Sequence, residues 1–429
     1  MKTKQMSVKN NKLYMGPYSL EELGKKYGTP LYIYDEEGIR ERISDYKNSF
    51  CDKEYDTHIV YATKAFLAPY LCNLMSEYGI WADAVSMGDM YLLKKAGFDS
   101  SHIVLHGNNK SLEELKYAID LKVGYIVVDN VSELKDLVNL TKDINYKVKT
   151  LLRVNPGVSA HTHEFIQTAT MDSKFGESVY DEERIDEIIK LYKRSDNLIL
   201  DGFHAHIGSQ INDEESFTKL VGVLADFIKK VHKKYNLDLH TIDYGGGFGV
   251  KYLDSDKAID VKKACENLIN ETRRIYQNSG IDIKTLMIEP GRSIVGDNGI
   301  TIYNSRRTKL TYAKKRYAFI DGGMPDNIRP ALYDALYTVE NASRVEGEKL
   351  KYDVVGKCCE SGDIIAKDQL LTTVEEGDTL CVYTTGAYCY SMSMNYNGLT
   401  RPACIFVRGD KVNIAIKKET LDDLVKTCF

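Results

Sequence analysis

From residue 58 onward, short runs of β-branched and apolar residues alternate with stretches whose apolar positions recur at helical spacing. The first four runs, His58–Ala62, Ile80–Ala84, Ile103–Leu105 and Tyr125–Val128, return about every 22 residues. Helices are predicted between them, for example over Ser111–Asp120 and Val131–Leu140. In the latter, Leu134, Leu137 and Val138 share a face, and Ser132 or Asn130 is placed to cap the start. Four more runs follow: Val148–Val154, Leu198–His204, Thr241–Tyr244 and Thr285–Ile288. They bring the total to eight before residue 290. Eight strand–helix units predict an α/β fold, a TIM-like (β/α)8 barrel at the usual size of about 250 residues. Counting strands does not show closure, so an open doubly wound sheet is the rival architecture.

After Arg292 the pattern changes to alternating runs rich in tyrosine and valine: Ile300–Asn304, Arg316–Ile320, Tyr352–Lys357, Thr379–Tyr383 and Cys404–Val407. These predict a mostly antiparallel β domain, sandwich- or barrel-like, which Leu31–Tyr34 is expected to join. The expected domains are residues 36–291 for the barrel, and 1–35 with 292–429 for the β domain.

Composition narrows the function. With 429 residues, 43% hydrophobic, 28% charged and a net charge of −5, the chain reads as an ordinary globular protein without a basic footprint for nucleic acid. No apolar run approaches the roughly 20 residues of a membrane-spanning helix, and Met1–Asn10 lacks a signal-peptide core, so no membrane partner is expected. Nine scattered cysteines, with no CxxC and no zinc spacing, suit a reducing, cytoplasmic compartment. His161 and His163 do not make a meaningful metal spacing either, and no metal is expected.

In a barrel, reactive groups gather where strands run into their following loops. Here those places read Tyr61-Ala62-Thr63-Lys64, His204-Ala205-His206-Ile207-Gly208-Ser209-Gln210, Gly245-Gly246-Gly247-Phe248-Gly249 and Glu289-Pro290-Gly291-Arg292. Lys64 is either a solvated lysine or a buried amine whose lowered pKa lets it form a Schiff base. The glycine run lets backbone N–H groups approach a phosphate, although such turns also occur without a ligand. The dinucleotide fingerprint GxGxxG fails: the sixth position is Val250 counting from Gly245 and Tyr252 counting from Gly247. Glu289 could keep a pyridine nitrogen protonated, and Arg292 could grip a phosphate or carboxylate; a solvent-exposed turn with a surface ion pair is the plainer account. Amine, phosphate cradle and carboxylate on one barrel mouth together suggest pyridoxal phosphate.

The residues also resemble a known family. HGNNKS (His106–Ser111), RVNPGVSAHTHEF (Arg153–Phe165), SKFG (Ser173–Gly176), HAHIGSQI (His204–Ile211), GGGFG, EPGRSIVG (Glu289–Gly296), DGGMPDNIRPALYDA (Asp321–Ala335), CESGD (Cys359–Asp363) and GAY with SMxxNYN (Gly386–Asn397) occur in order. This set resembles diaminopimelate decarboxylases, which are barrel-type pyridoxal-phosphate enzymes. The resemblance implies Lys64 as the Schiff-base lysine and His206 as the imidazole stacked on the cofactor ring. It implies Ser209, Gly246, Gly247, Glu289, Pro290, Gly291, Arg292 and Tyr388 as further cofactor contacts. Arg292, Arg329, Tyr333, Glu360 and Tyr388 would bind substrate, and Cys359 would protonate the carbanion. It also implies a homodimer with shared active sites, the CESGD segment crossing to the partner.

A substrate with an amine and a carboxylate at each end needs a clamp at its far end, and two arginines with a tyrosine suit a carboxylate. For Arg329 and Tyr333, an ordinary i, i+4 surface pair is the alternative. Cys358 and Cys359, read as strand residues, would face opposite sides, leaving Cys358 to packing. The chain departs from the family in reading Ser86-Met87-Gly88-Asp89 for Ser-Gly-Gly-Glu, and Met394 for a serine. Decarboxylases of arginine, ornithine or a D-amino acid, and a binding-only relative, are the competing functions.

Overall fold

The structure, a computed structural model, describes residues 2–157 and 173–428. His161 and His163 lie outside the described residues. The chain divides into two units: Met1–Arg42, Val250–Lys257 and Arg292–Phe429 form one, Ile43–Gly249 and Ala258–Gly291 the other.

The second unit is built on eight parallel strands. In chain order they are Asp56–Ala62, Trp81–Ala84, Ile103–Leu105, Tyr125–Val128, Val148–Asn155, Leu198–His204, Thr241–Asp243 and Thr285–Ile288. Closure is explicit, because the eighth strand pairs with the first, Thr285 opposite Asp56, and the fourth pairs with the fifth, Ile126 opposite Thr150. An open sheet would leave two edges unpaired, so the doubly wound alternative is excluded. The strands are largely buried on both faces, as parallel strands wrapped by helices must be, which is why several of them, such as Ile103–Leu105 and Tyr125–Val128, read as continuous apolar runs. Val60, Val104, Tyr125, Val127, Leu151 and Met287 fill the interior. Among these apolar residues, the buried Asp201 accepts hydrogen bonds from Tyr125 Oη at 2.7 Å and Thr241 Oγ1 at 2.6 Å. The helix Leu112–Leu121 starts with a capping box between Ser111 and Glu114, and Val131–Leu140 is capped by Asn130, not Ser132.

The first unit carries a nine-stranded sheet centred on Gly299–Leu310. That strand pairs antiparallel with Leu31–Asp35, Thr379–Val382 and Arg316–Ile320. Two pairings are parallel: Leu31–Asp35 with Ala403–Arg408, and Arg316–Ile320 with Lys349–Val355. Leu31, Ile33, Ile300, Ile302, Cys381, Ile405 and Val407 belong to its core. The central strand runs six residues beyond the Asn304 end read from sequence, because the exposed segment Arg306–Leu310 is held by hairpin pairing to Arg316–Ile320 rather than by burial.

One correction concerns Cys358 and Cys359. The strand expected over Tyr352–Lys357 ends at Val355, and both cysteines lie in the bend beyond it. The turn is fixed by Asp363, whose carboxylate accepts from Cys358 N at 2.8 Å and Met324 N at 2.6 Å. Strand alternation therefore does not separate the two thiols; exposure does, with Cys358 half-buried and Cys359 exposed.

Candidate functional site

In the barrel unit, four strand ends bring chemistry to one mouth. The first strand runs into the short 3-10 turn Thr63–Ala65, which carries Lys64. This lysine is not the buried amine that one reading expected. Its side chain is 44% exposed, because the turn leaves the strand and projects it from the mouth, 3.7 Å from the buried Asp83. Burial outweighs the neighbouring Lys64 charge and pushes the Asp83 carboxyl upward.

The sixth and seventh loops are stitched together. Ile211 N donates to Gly247 O at 2.8 Å, and Gly249 N to Ile211 O at 2.9 Å. Two glycines are needed for that approach: a Cβ on Gly246 would lie 2.0 Å from the Glu289 carbonyl oxygen, and one on Gly247, at φ +110°, 2.3 Å from that of Gly208. Ser209, half-buried, follows Gly208. His206 Nδ1 accepts from Gly246 N at 3.2 Å. Burial, together with the Lys64 and Arg153 charges, holds this imidazole well below its usual range, so it is neutral with its proton on Nε2.

Glu289 ends the eighth strand, followed by Pro290, whose carbonyl accepts from Ala62 N at 3.1 Å, and Gly291, packed against Ala62 and Ala65. The Glu289 carboxylate is buried, with His106 Nε2 at 2.6 Å and His204 Nε2 at 3.2 Å. Burial opposes its ionisation, but the two imidazoles outweigh burial and hold it well below the carboxylate range. With Asp243, these residues place four ligand-type atoms within 4.8 Å of one another. Two ligands of a tetrahedral ion at about 2.0 Å sit about 3.3 Å apart. The 2.6 Å between His106 Nε2 and Glu289 Oε1 is shorter than that, and His204 Nε2 stands within hydrogen-bond distance of Glu289 Oε2 at 3.2 Å.

The other unit holds the remaining residues. Arg292 opens the short helix Arg292–Val295 and donates to Tyr252 Oη. Its guanidinium stands 4.7 Å from the Tyr388 ring centroid, and that of Arg329 5.8 Å from the same ring. Tyr388 adopts φ +63°, a left-handed conformation that a non-glycine residue holds only where surrounding structure imposes it. Arg329 is buried, not on a helix surface. Its Nε donates to Tyr337 Oη at 2.9 Å, and its guanidinium lies 5.6 Å from the half-buried Tyr333 ring. The buried Cys389 lies with its Sγ 3.4 Å from Tyr337 Oη. Cys359 N donates to Asn397 Oδ1 at 2.9 Å and Glu360 is exposed, while burial and Asp363 push the Cys358 thiol up to about 12.

Sequence reasoning missed Asp83, His106, His204, Asp243, Tyr252 and Tyr337. For Asp83 and Asp243 a signal existed, an acid inside an apolar strand that burial would make costly without a role. Tyr252 gave none beyond filling a failed fingerprint.

Residues 36–296 match the family model described as pyridoxal-dependent decarboxylase, pyridoxal binding domain. The chain is 40% identical to the diaminopimelate decarboxylase of Bacillus subtilis, covering 94% of this chain and 92% of that protein. It is 39% identical to that of Staphylococcus aureus, over 98% and 99%. Among solved structures, the diaminopimelate decarboxylase of M. jannaschii in complex with L-lysine superposes with a TM-score of 0.93 at 30% identity, covering 100% of this chain and 98% of that one. The Helicobacter pylori enzyme with L-lysine gives 0.86 at 32%, over 95% and 98%.

Proposed function

The chain belongs to the diaminopimelate decarboxylase family of pyridoxal-dependent decarboxylases, and from that premise we propose that it converts meso-2,6-diaminopimelate to L-lysine and carbon dioxide, the last step of lysine biosynthesis. The observation that carries the substrate is the pair of guanidiniums, Arg292 and Arg329, stacked against one tyrosine ring. A substrate with a carboxylate at each end needs a cationic clamp besides the reacting centre; ornithine has no distal carboxylate to offer it.

The barrel mouth fits pyridoxal phosphate. The exposed Lys64 amine would bond its aldehyde carbon, and the neutral His206 ring would lie on its face. Ser209, Gly246, Gly247 and the Glu289–Arg292 turn would hold its phosphate and ring nitrogen, with Tyr388 a further contact. When bound, this cofactor supplies an electron sink for the pair left as carbon dioxide departs. Glu289, ionised and shielded from water, would hold a proton on the cofactor's ring nitrogen. Tyr333 and Glu360 complete the substrate clamp, Glu360 meeting the distal ammonium. Cys359 Sγ delivers the proton that replaces the lost carboxylate.

We assign the protein to the cytoplasm as a homodimer, with Cys359 and Glu360 completing the partner's site; their exposure within a single chain supports this. Mixing Lys64→Ala with Cys359→Ala subunits then restores part of the activity through hybrid dimers. No restoration, with subunit exchange demonstrated, rejects shared sites. The substrate is tested by incubating the enzyme and cofactor with meso-, LL- and DD-diaminopimelate, ornithine and arginine. Carbon dioxide released from the meso isomer is the expected result, and release confined to ornithine or arginine rejects the proposal.

A further inference from the structure

Three side chains close around Glu289 without any role in the chemistry just described. His106 stands at the end of the third barrel strand, His204 at the end of the sixth and Asp243 at the end of the seventh, and all three are buried. The two imidazoles meet edge to face at 4.8 Å, each turning its Nε2 to a different Glu289 oxygen. The His106 loop is itself pinned. Buried Lys110 donates to Gly107 O at 2.6 Å and Val127 O at 2.8 Å, and pairs with Glu133 at 2.8 Å.

Asp243 poses a chemical problem that only a proton solves. Its Oδ1 accepts from Gly245 N at 2.9 Å, while its buried Oδ2 meets no donor among the described residues, and its carboxylate belongs to the group clustered within 4.8 Å around Glu289. Two carboxylates this close in a dry site do not both ionise. Burial and then the Glu289 charge drive Asp243 well above its usual range, while Glu289 is driven below its own. The proton therefore resides on Asp243 and the charge on Glu289. Burial holds His204 down at about 4, so it donates as a neutral ring. Among the described residues, Asp83, Lys64, Arg153 and His206 are further charged or titratable groups acting on this centre.

We infer that His106, His204 and Asp243 are positioning residues for Glu289: they keep its carboxylate anionic and in one orientation, and so set the lower pH limit at which the enzyme retains its cofactor. The inference rests on the reading of Glu289 as partner of the cofactor ring nitrogen.

The test is the dissociation constant of pyridoxal phosphate, measured by absorbance titration across pH for the full-length wild type and H106Q, D243N and E289Q variants. H106Q keeps one neutral donor but removes the imidazole. Near pH 8 its affinity is expected within about threefold of wild type; near pH 6 it is weaker by about a further tenfold, the loss expected if the variant's Glu289 titrates about one pH unit above 6. D243N presents an amide N–H where the acid presents its O–H, and is expected to follow wild type at both pH values. A merely structural role would weaken H106Q by the same factor at every pH. That flat ratio overturns the inference, as does a tenfold loss in D243N near pH 8; H204Q repeats the pH comparison should H106Q not fold. E289Q separates the two levels. If it binds cofactor and turns over like wild type, the reading of Glu289 fails and the inference with it. If E289Q is impaired while the H106Q ratio is flat, the inference alone fails.

Discussion

The barrel mouth and the arginine–tyrosine cluster of the other unit handle charge in opposite ways. At the mouth, ionisable groups sit on the ends of parallel strands, buried and close together, and their protonation is settled by one another: Glu289 by two imidazoles, Asp243 by Glu289. In the cluster, the charges are guanidiniums that never lose their protons, steadied by the faces and hydroxyls of Tyr252, Tyr337 and Tyr388. The mouth tunes where protons reside, as reaction chemistry requires; the cluster presents fixed positive charge, as recognition requires. The supporting structure differs accordingly. Strand ends give a rigid base for the first task, whereas short helices and turns, one of them holding Tyr388 at φ +63°, aim the side chains for the second.

The comparison breaks first at Lys64. Lys64→Ala should abolish decarboxylation and the near-visible absorbance of the lysine-bound cofactor together, a loss of several orders of magnitude in turnover. Spectrophotometry and carbon dioxide release check both, and turnover retained without that absorbance would remove the mouth from the chemistry. The second test is Arg329→Ala. Loss of a buried cationic contact costs about 2–5 kcal/mol, which predicts a fall of roughly 30- to 4000-fold in kcat/KM, carried mainly by KM. Cofactor affinity, measured in parallel, should stay near wild type. An equal loss in cofactor affinity would mean that the cluster serves the cofactor rather than the substrate.

The contrast also explains what was legible in the sequence. Barrel strands such as Ile103–Leu105 and Tyr125–Val128 stood out because burial on both faces forces continuous apolar runs, so their boundaries followed from composition alone. Half of Gly299–Leu310 was hidden because Arg306-Arg307-Thr308-Lys309 satisfies hairpin pairing without hydrophobic residues. At the site, the resemblance assigned roles to some motif residues, whereas His106 and His204, which open two of the motifs, and Tyr252, outside them, act through other side chains. Their partners, Glu289 for the first two and Arg292 for the third, lie far away in sequence, and only the folded chain brings them together.

The smallest expected effect sharpens the comparison by setting a second buried acid against Glu289. Asp326, in the loop before the helix Arg329–Tyr333, accepts from Gly323 N at 2.9 Å and, among the described residues, meets no cationic or imidazole donor of the kind that holds Glu289 ionised. Burial, together with the Asp321 and Asp363 charges, raises its carboxyl to about 7. The unfolded chain releases this proton near pH 4, so between about pH 4 and 7 the folded state binds more protons and stability falls as pH rises, levelling off above. Asp326→Asn keeps an oxygen for Gly323 and removes the charge. It should therefore stabilise the protein by about 1–3 kcal/mol near pH 8 and by little near pH 4, as read from denaturant unfolding at the two pH values. A gain that is equal at both, or larger in acid, would mean that Asp326 is ionised in the folded state, as Glu289 is.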